Sequence, residues 1–210
     1  SFCYEESAPH CLEKMSLKDF CFAIAELKKL GIKRIQLIGG EPLLLKDNLK
    51  AMVEKCRKDF DFIEIFTNGT LIDKKWCDFF KAHDLHIALS LHSYTSEEHD
   101  KVTTVSGSHK KTAGAIKLLQ EHTISHRIAT IRSASCDVGK PTSDVGYQLA
   151  PRHLVLSGRG NISQYDFAMF KNIAITKKTM QSPISKKRVA LAVSGHQCFL
   201  GKLYISYNLD

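Results

Sequence analysis

The feature that most constrains this chain is an apolar run that ends in two glycines, one acid and a proline. The stretch from Ile35 to Ile38 is typical of a buried strand. Gly39 and Gly40 follow it, and residues without a Cβ allow a sharp turn and the close approach of a ligand. Glu41 then lies where α/β sheets and barrels bind ligands, and its carboxylate can accept hydrogen bonds from a ligand ammonium. An ordinary strand-to-helix turn with a solvated glutamate is the alternative interpretation.

Helical and strand patterns alternate around this stretch. Ser16 and Asp19 form a variant of the capping box, and an apolar stripe then runs to Gly31. The repeated order of helix and strand predicts a parallel sheet, or part of a barrel, with right-handed crossovers. The predicted strands are 32–38, 62–66, 86–91 and 127–131, and the predicted helices after the first are 48–56, 73–81 and 108–122.

Polar or glycine-containing clusters follow three of these predicted strands. They are Gly-Gly-Glu at 39–41, Thr-Asn-Gly at 67–69 and Ser-Leu-His-Ser at 90–93. Because the carboxyl ends of parallel strands meet at one edge of the sheet, the three clusters predict one shared site.

The regular pattern stops after Arg132. Residues 133–160 are rich in Gly, Ser, Asp and Pro and lack a clear period, so we expect a loop there. Residues 161–170 have the pattern of a short helix, and 203–207 that of a strand in a hairpin arm.

Charge and cysteine content restrict the partners and the compartment. The formal net charge of +8 suits an acidic partner, such as a nucleic acid, an acidic peptide or an anionic cofactor, although solvated lysines on helix faces also explain it. The seven cysteines form no regular framework, which favours a reducing compartment, and we expect the cytoplasm. No apolar run reaches the ~18 residues of a membrane-spanning helix. The chain opens on Ser1 rather than methionine, and we expect it to be cut at both ends.

Phe2 and Cys3, together with the order of the three clusters that follow the predicted strands, resemble the radical S-adenosylmethionine (radical SAM) family. That family binds a four-iron cluster through a Cys-x3-Cys-x-aromatic-Cys motif, of which this chain contains the last two positions. The resemblance covers residues 1–132. It implies a partial parallel (β/α)6 barrel, with a [4Fe–4S] cluster and S-adenosylmethionine as cofactors.

The resemblance also implies roles for individual residues. Cys3 would ligate the cluster, and Phe2 would pack against the adenine. The segment of Gly39, Gly40 and Glu41 would receive the methionine ammonium. The ribose or the methionine carboxylate would contact Thr67, Asn68 and Ser90.

Two positions at the strand ends have open roles. Many relatives have Ser-Leu-Asp-Gly where this chain has Ser-Leu-His-Ser, so the role of His92 is not assigned. Arg132 could pair with the methionine carboxylate or form a surface salt bridge. No catalytic acid or base is assigned either, and His92, Tyr4 and Asp100 are candidates by position alone.

The last residues resemble the opening of a SPASM extension, which carries auxiliary four-iron clusters in peptide and enzyme maturases. Cys198 would be the first auxiliary ligand, although a buried thiol is the alternative. We therefore predict a radical SAM core at 1–132, an irregular bridging region at 133–195 and the start of a SPASM-like domain at 196–210.

The leading hypothesis is a radical SAM/SPASM maturase. Such an enzyme cleaves S-adenosylmethionine to a 5′-deoxyadenosyl radical, which removes hydrogen from a ribosomally made peptide or a protein side chain. The partners would be a precursor peptide or protein and an electron donor such as flavodoxin or ferredoxin, without a membrane or nucleic acid. A radical SAM enzyme for RNA or a small metabolite, and a non-catalytic α/β domain that binds a nucleotide or protein, are the alternatives.

Overall fold

A computed structural model describes residues 15–29, 31–132, 138–139, 147, 149, 151–153, 188–194 and 204–206. The strands are β1 (Arg34–Gly39), β2 (Phe62–Thr67), β3 (His86–Ser90), β4 (His126–Arg132), β5 (Pro151–His153), β6 (Arg188–Ser194) and β7 (Tyr204–Ser206). The helices are α1 (Leu17–Lys29), α2 (Asp47–Cys56), α3 (Lys74–Ala82), α4 (Ser96–Thr103) and α5 (Ser108–Glu121), with a 3₁₀ helix at Pro42–Leu45.

The first helix forms as the capping pattern predicts. The backbone N–H of Asp19 donates to the Ser16 hydroxyl at 3.1 Å, and that hydroxyl donates to the Asp19 carboxylate at 2.6 Å. Phe20, Ile24 and Leu27 are buried on one face of α1. The amphipathic stripe therefore holds α1 against the core.

The strands form one sheet in the order β5-β4-β3-β2-β1-β6-β7. Every neighbouring pair is parallel except β6 and β7, which are antiparallel. The strands β1 to β4 are neighbours in their chain order, each joined to the next by helical crossovers. The predicted α/β fold with a parallel sheet is therefore confirmed.

The two faces of this sheet differ in chemistry. One face packs against the helices and is fully apolar in its centre, where Ile35, Ile63, Ile65 and Ile87 are buried with side chains of the helices. The opposite face carries charged groups, and Glu64 is fully buried there. Since side chains alternate along a strand, a single register sets both faces.

The buried carboxylate of Glu64 contacts side chains from three neighbouring strands, so that four strands meet at it. Arg127 donates to it twice, from Nε to Oε1 at 2.7 Å and from Nη2 to Oε2 at 3.0 Å. Gln36 Nε2 also donates to Oε2, and His86 Nε2 lies 3.6 Å from Oε1. This cluster, which we call the Glu64 cluster, connects β1 to β4 on the face of the sheet opposite the helices, half a strand before the predicted site.

Three elements differ from the sequence predictions. The helix α4 was not predicted, because it is short and buries only His99 and Val102. β5 lies inside the segment expected to be a loop, and that expectation is wrong at 151–153. β6 lies in the region predicted to be irregular and pairs in parallel with β1, far away in the chain.

The predicted strand at 203–207 contains β7, which forms the expected hairpin arm with β6. The predicted short helix at 161–170 lies outside the described residues. Within the described part of the chain, every helix is too short or too polar to span a bilayer.

Candidate cofactor site

The predicted rim residues lie together at the carboxyl ends of three neighbouring strands. Glu41 follows β1, Thr67 ends β2 and Ser90 ends β3. The parallel pairing of β1 with β2, and of β2 with β3, places these ends at the same edge of the sheet. This edge, which we call the rim, is the usual ligand site in sheets of this kind.

Glu41 is the centre of the rim. Its side chain is buried, with 7% of the residue exposed. Oε1 accepts hydrogen bonds from the Thr67 hydroxyl at 2.7 Å and from the Leu43 backbone N–H at 3.1 Å, and Oε2 accepts from the Asn68 backbone N–H at 2.8 Å. The bond to Leu43 also caps the 3₁₀ helix that follows. The carboxylate therefore ties the end of β1 to the end of β2.

The buried carboxyl of Glu41 has a raised pKa and forms no ion pair with a described residue. Burial raises the pKa of its carboxyl above the ordinary value, while the hydrogen bonds from Thr67, Asn68 and Leu43 act in the opposite direction. In the described part of the chain, no lysine, arginine or histidine forms an ion pair with it. Oε2 accepts one hydrogen bond from the described residues, and a cationic ligand there would supply a counter-charge.

The backbone before Glu41 needs glycine. Gly39 has a φ of 150°, in the region that side chains disfavour, and the pairing of β1 with β6 shifts register between Ile38 and Gly39. Gly40 is exposed beside it. The two glycines thus leave an open backbone next to a buried carboxylate, an arrangement suited to the ammonium of an amino-acid ligand.

Thr67 and Asn68 face Glu41 in different ways. The Thr67 hydroxyl donates to Glu41 and accepts from the Gly69 backbone N–H at 3.0 Å. The Asn68 side chain turns into its own loop, where Oδ1 accepts from the backbone N–H and hydroxyl of Thr70 at 2.9 and 2.7 Å. The structure brings both residues to Glu41, and their contact with ribose or the methionine carboxylate stays a prediction.

Gly69 is required for the same turn. Its φ is +79°, and a Cβ there would lie 2.7 Å from Leu89 Cδ2. The Thr112 hydroxyl of α5 donates to the Asn68 carbonyl at 2.8 Å. The loop that presents the Asn68 N–H to Glu41 is therefore fixed from both sides.

Ser90 ends β3 and is half-buried, opposite Ala129 of β4. Two residues on, the His92 ring stacks on His99 of α4 with 5.5 Å between the ring centroids, and His99 Nδ1 accepts from the His92 backbone N–H at 3.1 Å. The His109 ring lies edge-on to His99, again at 5.5 Å.

His92 and His99 are neutral at physiological pH. Burial, then the neighbouring His99, lowers the pKa of His92 to about 4. Burial, then His109, lowers the pKa of His99 to about 4. Nothing in the spacing of His99 and His109 marks them as neighbours of His92, so these ring contacts were not predicted.

Phe2, Cys3 and Cys198 lie outside the described residues, so their roles stay predictions. Among the residues that are described, no group of three His, Cys, Asp or Glu side chains could hold a metal ion. The chemistry of the rim fits the amino end of S-adenosylmethionine, since a buried acid and an open glycine backbone suit its ammonium.

The fold and the rim define a class of protein, the parallel α/β barrels that bind a ligand at the carboxyl ends of their strands. A family model described as the Radical SAM superfamily matches residues 1–133. The chain belongs to this superfamily, and membership implies a [4Fe–4S] cluster and S-adenosylmethionine.

Two curated relatives indicate the range of chemistry in similar proteins. The antilisterial bacteriocin subtilosin biosynthesis protein AlbA of Bacillus subtilis is 32% identical over 129 residues, 60% of this chain and 29% of AlbA. The GTP 3′,8-cyclase of Chlorobaculum tepidum is 28% identical over 104 residues, 49% of this chain and 32% of the cyclase. The chain thus spans about a third or less of these two relatives.

Solved structures show the same fold. Streptococcus suis SuiB bound to S-adenosylmethionine matches with a TM-score of 0.52 and 20% identity, over 63% of this chain and 30% of SuiB. Native anSMEcpe with bound AdoMet and Kp18Cys peptide matches with a TM-score of 0.51 and 19% identity, over 61% of this chain and 42% of anSMEcpe. The fold is therefore that of radical SAM enzymes.

Proposed function

We propose that this protein is a radical SAM/SPASM maturase that acts on a ribosomally made peptide or a protein side chain. The observation that carries the proposal is Glu41, a buried carboxylate beside two glycines with no counter-ion among the described residues. Similarity to AlbA supports a peptide substrate, because AlbA is named for the biosynthesis of a bacteriocin.

Each rim residue has a separate task in this proposal. Glu41 accepts the methionine ammonium at Oε2 and thereby fixes the sulfonium relative to the strand ends. Thr67 and the backbone of Asn68 hold the carboxylate in place. Ser90, on the neighbouring strand end, contacts the ribose or the methionine carboxylate.

When bound, the cluster supplies the electron that cleaves S-adenosylmethionine, and the resulting 5′-deoxyadenosyl radical removes a substrate hydrogen. Cys3 would hold this cluster, Phe2 would pack on the adenine, and Cys198 would be the first ligand of an auxiliary cluster. An electron donor such as flavodoxin or ferredoxin completes the proposed system.

The test is anaerobic reconstitution of the complete protein with iron and sulfide, followed by dithionite and S-adenosylmethionine. We expect 5′-deoxyadenosine from the wild type and much less from Glu41→Gln, which keeps the size but not the charge. Glu54→Gln, at an exposed position of α2, is the matched control and should match the wild type. A wild type with its cluster intact that forms no 5′-deoxyadenosine would overturn the proposal.

A small-molecule substrate is the second candidate, and the similarity to GTP 3′,8-cyclases is the observation that favours it. The two candidates differ in what stimulates 5′-deoxyadenosine formation. Stimulation by GTP, rather than by peptides, would favour the small-molecule enzyme. Membership of the superfamily argues against a non-catalytic binding domain.

A further inference from the structure

Lysines cluster where three helices begin beside the rim. α2 and α3 follow the strands that carry Glu41 and Thr67, and α5 reaches the same edge through the bond from Thr112 to the Asn68 carbonyl. We call these six lysines the basic arc: Lys46, Lys50, Lys74, Lys75, Lys110 and Lys111.

Most of the basic arc has no partner within the described chain. Lys50 lies 3.7 Å from Asp47 and over the Trp76 ring at 5.4 Å, but the other five lysines are exposed and form no ion pair there. The lysines are not needed to cap these helices, because aspartate side chains already cap the starts of α3 and α5. Asp73 accepts from the Trp76 N–H at the start of α3, and Asp100 accepts from the Gly107 and His109 N–H groups at the start of α5.

Exposed aliphatic side chains accompany the lysines. Among the described residues, five large hydrophobic side chains are exposed, and three of them lie in the segments that lead into these helices. Leu44 is 57% exposed before α2, Leu71 is 41% exposed before α3, and Val105 is 56% exposed before α5. Each of the three segments thus presents one aliphatic side chain followed by lysines.

The arc is continuous with the rim. Leu44 and Leu71 each follow a rim residue, Glu41 and Asn68, by three positions. Lys50 of α2 contacts the Trp76 ring of α3, and α3 in turn packs against α5. Helices that pack side by side are about 8–10 Å apart, so the arc extends over about 20 Å. An extended segment of about six residues, at roughly 3.3 Å each, has this length.

We propose that the basic arc docks an acidic segment of the peptide substrate that carries aliphatic side chains between its carboxylates; this rests on the proposed function. The lysines pair with the carboxylates, and Leu44, Leu71 and Val105 contact the aliphatic groups. The segment then leads into the rim, where the modified residue would lie beside the bound S-adenosylmethionine. The arc ends at α4, whose first turn carries Glu97 and Glu98.

The aliphatic groups distinguish this partner from a nucleic acid. Surfaces that bind single strands place aromatic rings for base stacking, whereas the exposed apolar side chains beside the basic arc are Leu44, Leu71 and Val105. An anionic membrane also attracts lysines and aliphatic side chains, so vesicles are included in the test.

The test measures binding of a fluorescein-labelled synthetic decapeptide of alternating Glu and Leu to the reconstituted protein by fluorescence anisotropy. The arc variant reverses four charges, in Lys74→Glu, Lys75→Glu, Lys110→Glu and Lys111→Glu. The control variant reverses four exposed lysines in or just after the later turns of α2, α3 and α5, in Lys55→Glu, Lys58→Glu, Lys81→Glu and Lys117→Glu. Both variants carry the same net charge, and thermal unfolding confirms that each is folded.

We expect the arc variant to raise the Kd at least about tenfold, an effect of about 1.4 kcal/mol, and the control variant to change it less than about twofold. Leu44→Ser with Leu71→Ser should weaken binding of the same peptide, while a Gln–Leu version of the peptide should bind poorly to every variant. Equal losses in the arc and control variants, no loss in either, or arc-dependent binding to phosphatidylglycerol vesicles without peptide binding would each overturn the docking proposal. Formation of 5′-deoxyadenosine by the wild type tests the proposed function separately, so the two failures are distinguishable.

Discussion

Two buried glutamates in the same sheet have opposite surroundings. Glu64 is fully buried and forms two hydrogen bonds with Arg127, a cation that balances its charge. Glu41 is almost as buried, at 7% exposure, but its three hydrogen-bond donors are all neutral. A buried charge without a partner is costly, so a fold tolerates it where a ligand or another group completes it.

The difference separates a structural acid from a binding acid. The Glu64 cluster lies along the strands and contains its own counter-ion, Arg127, whereas Glu41 lies at the carboxyl ends, where ligands bind. Burial alone does not distinguish the two residues, whereas the charge of the nearest partner does.

The largest expected effect is on stability, from Arg127→Leu. This change removes the counter-ion and leaves the Glu64 carboxylate buried, which costs about 3–5 kcal/mol of the free energy of unfolding. The double variant Glu64→Leu with Arg127→Leu should recover most of that loss, because no unpaired charge remains. Urea denaturation measures both variants. A single variant as stable as the wild type would show that Glu64 does not need its arginine.

The next effect is on ligand affinity, from Glu41→Gln. A hydrogen bond to a charged group contributes about 1.5–3 kcal/mol, so the Kd for S-adenosylmethionine should rise about 10- to 150-fold. Isothermal titration of the reconstituted protein measures the Kd. Since Gln36→Leu acts on the Glu64 cluster instead, it should leave the Kd unchanged, and an equal loss there would remove the distinction between the two acids.

These contrasts were only partly predictable from the sequence. Periodicity and capping predicted β1 to β4 and the helices α1, α2, α3 and α5, but not α4, and the Gly-Gly-Glu turn predicted the rim. The bonds from Thr67 and Asn68 to Glu41 depend on the register of two strands, which periodicity does not specify. Likewise, nothing in the strand pattern marks Glu64 as buried, because its partner Arg127 comes from a strand much later in the chain.

A smaller effect concerns pH. Burial raises the pKa of Glu41, and only the ionised carboxylate attracts an ammonium, so affinity for S-adenosylmethionine should be constant above the raised pKa and fall below it. The slope should approach about tenfold per pH unit, since one proton competes with the ligand. Titrations in steps from neutral to mildly acidic pH measure it. Glu41→Gln should show no such slope, and a slope that survives in this variant would assign the titration to another group.

The smallest expected effects come from removing one neutral hydrogen-bond donor at each of the two acids. Thr67→Val removes the hydroxyl that donates to Glu41 and keeps the shape of the side chain, and Gln36→Leu removes the amide that donates to Glu64. Glu41 forms no ion pair with any described residue, so its pKa should rise further and the pH at which ligand affinity falls should move upward. Affinity at neutral pH should drop about 3- to 10-fold. Glu64 keeps both bonds to Arg127, so Gln36→Leu should change the free energy of unfolding by about 1 kcal/mol or less. If Thr67→Val leaves the pH profile where it was, the hydroxyl only shapes the turn, and the two acids differ in position but not in their dependence on neutral donors.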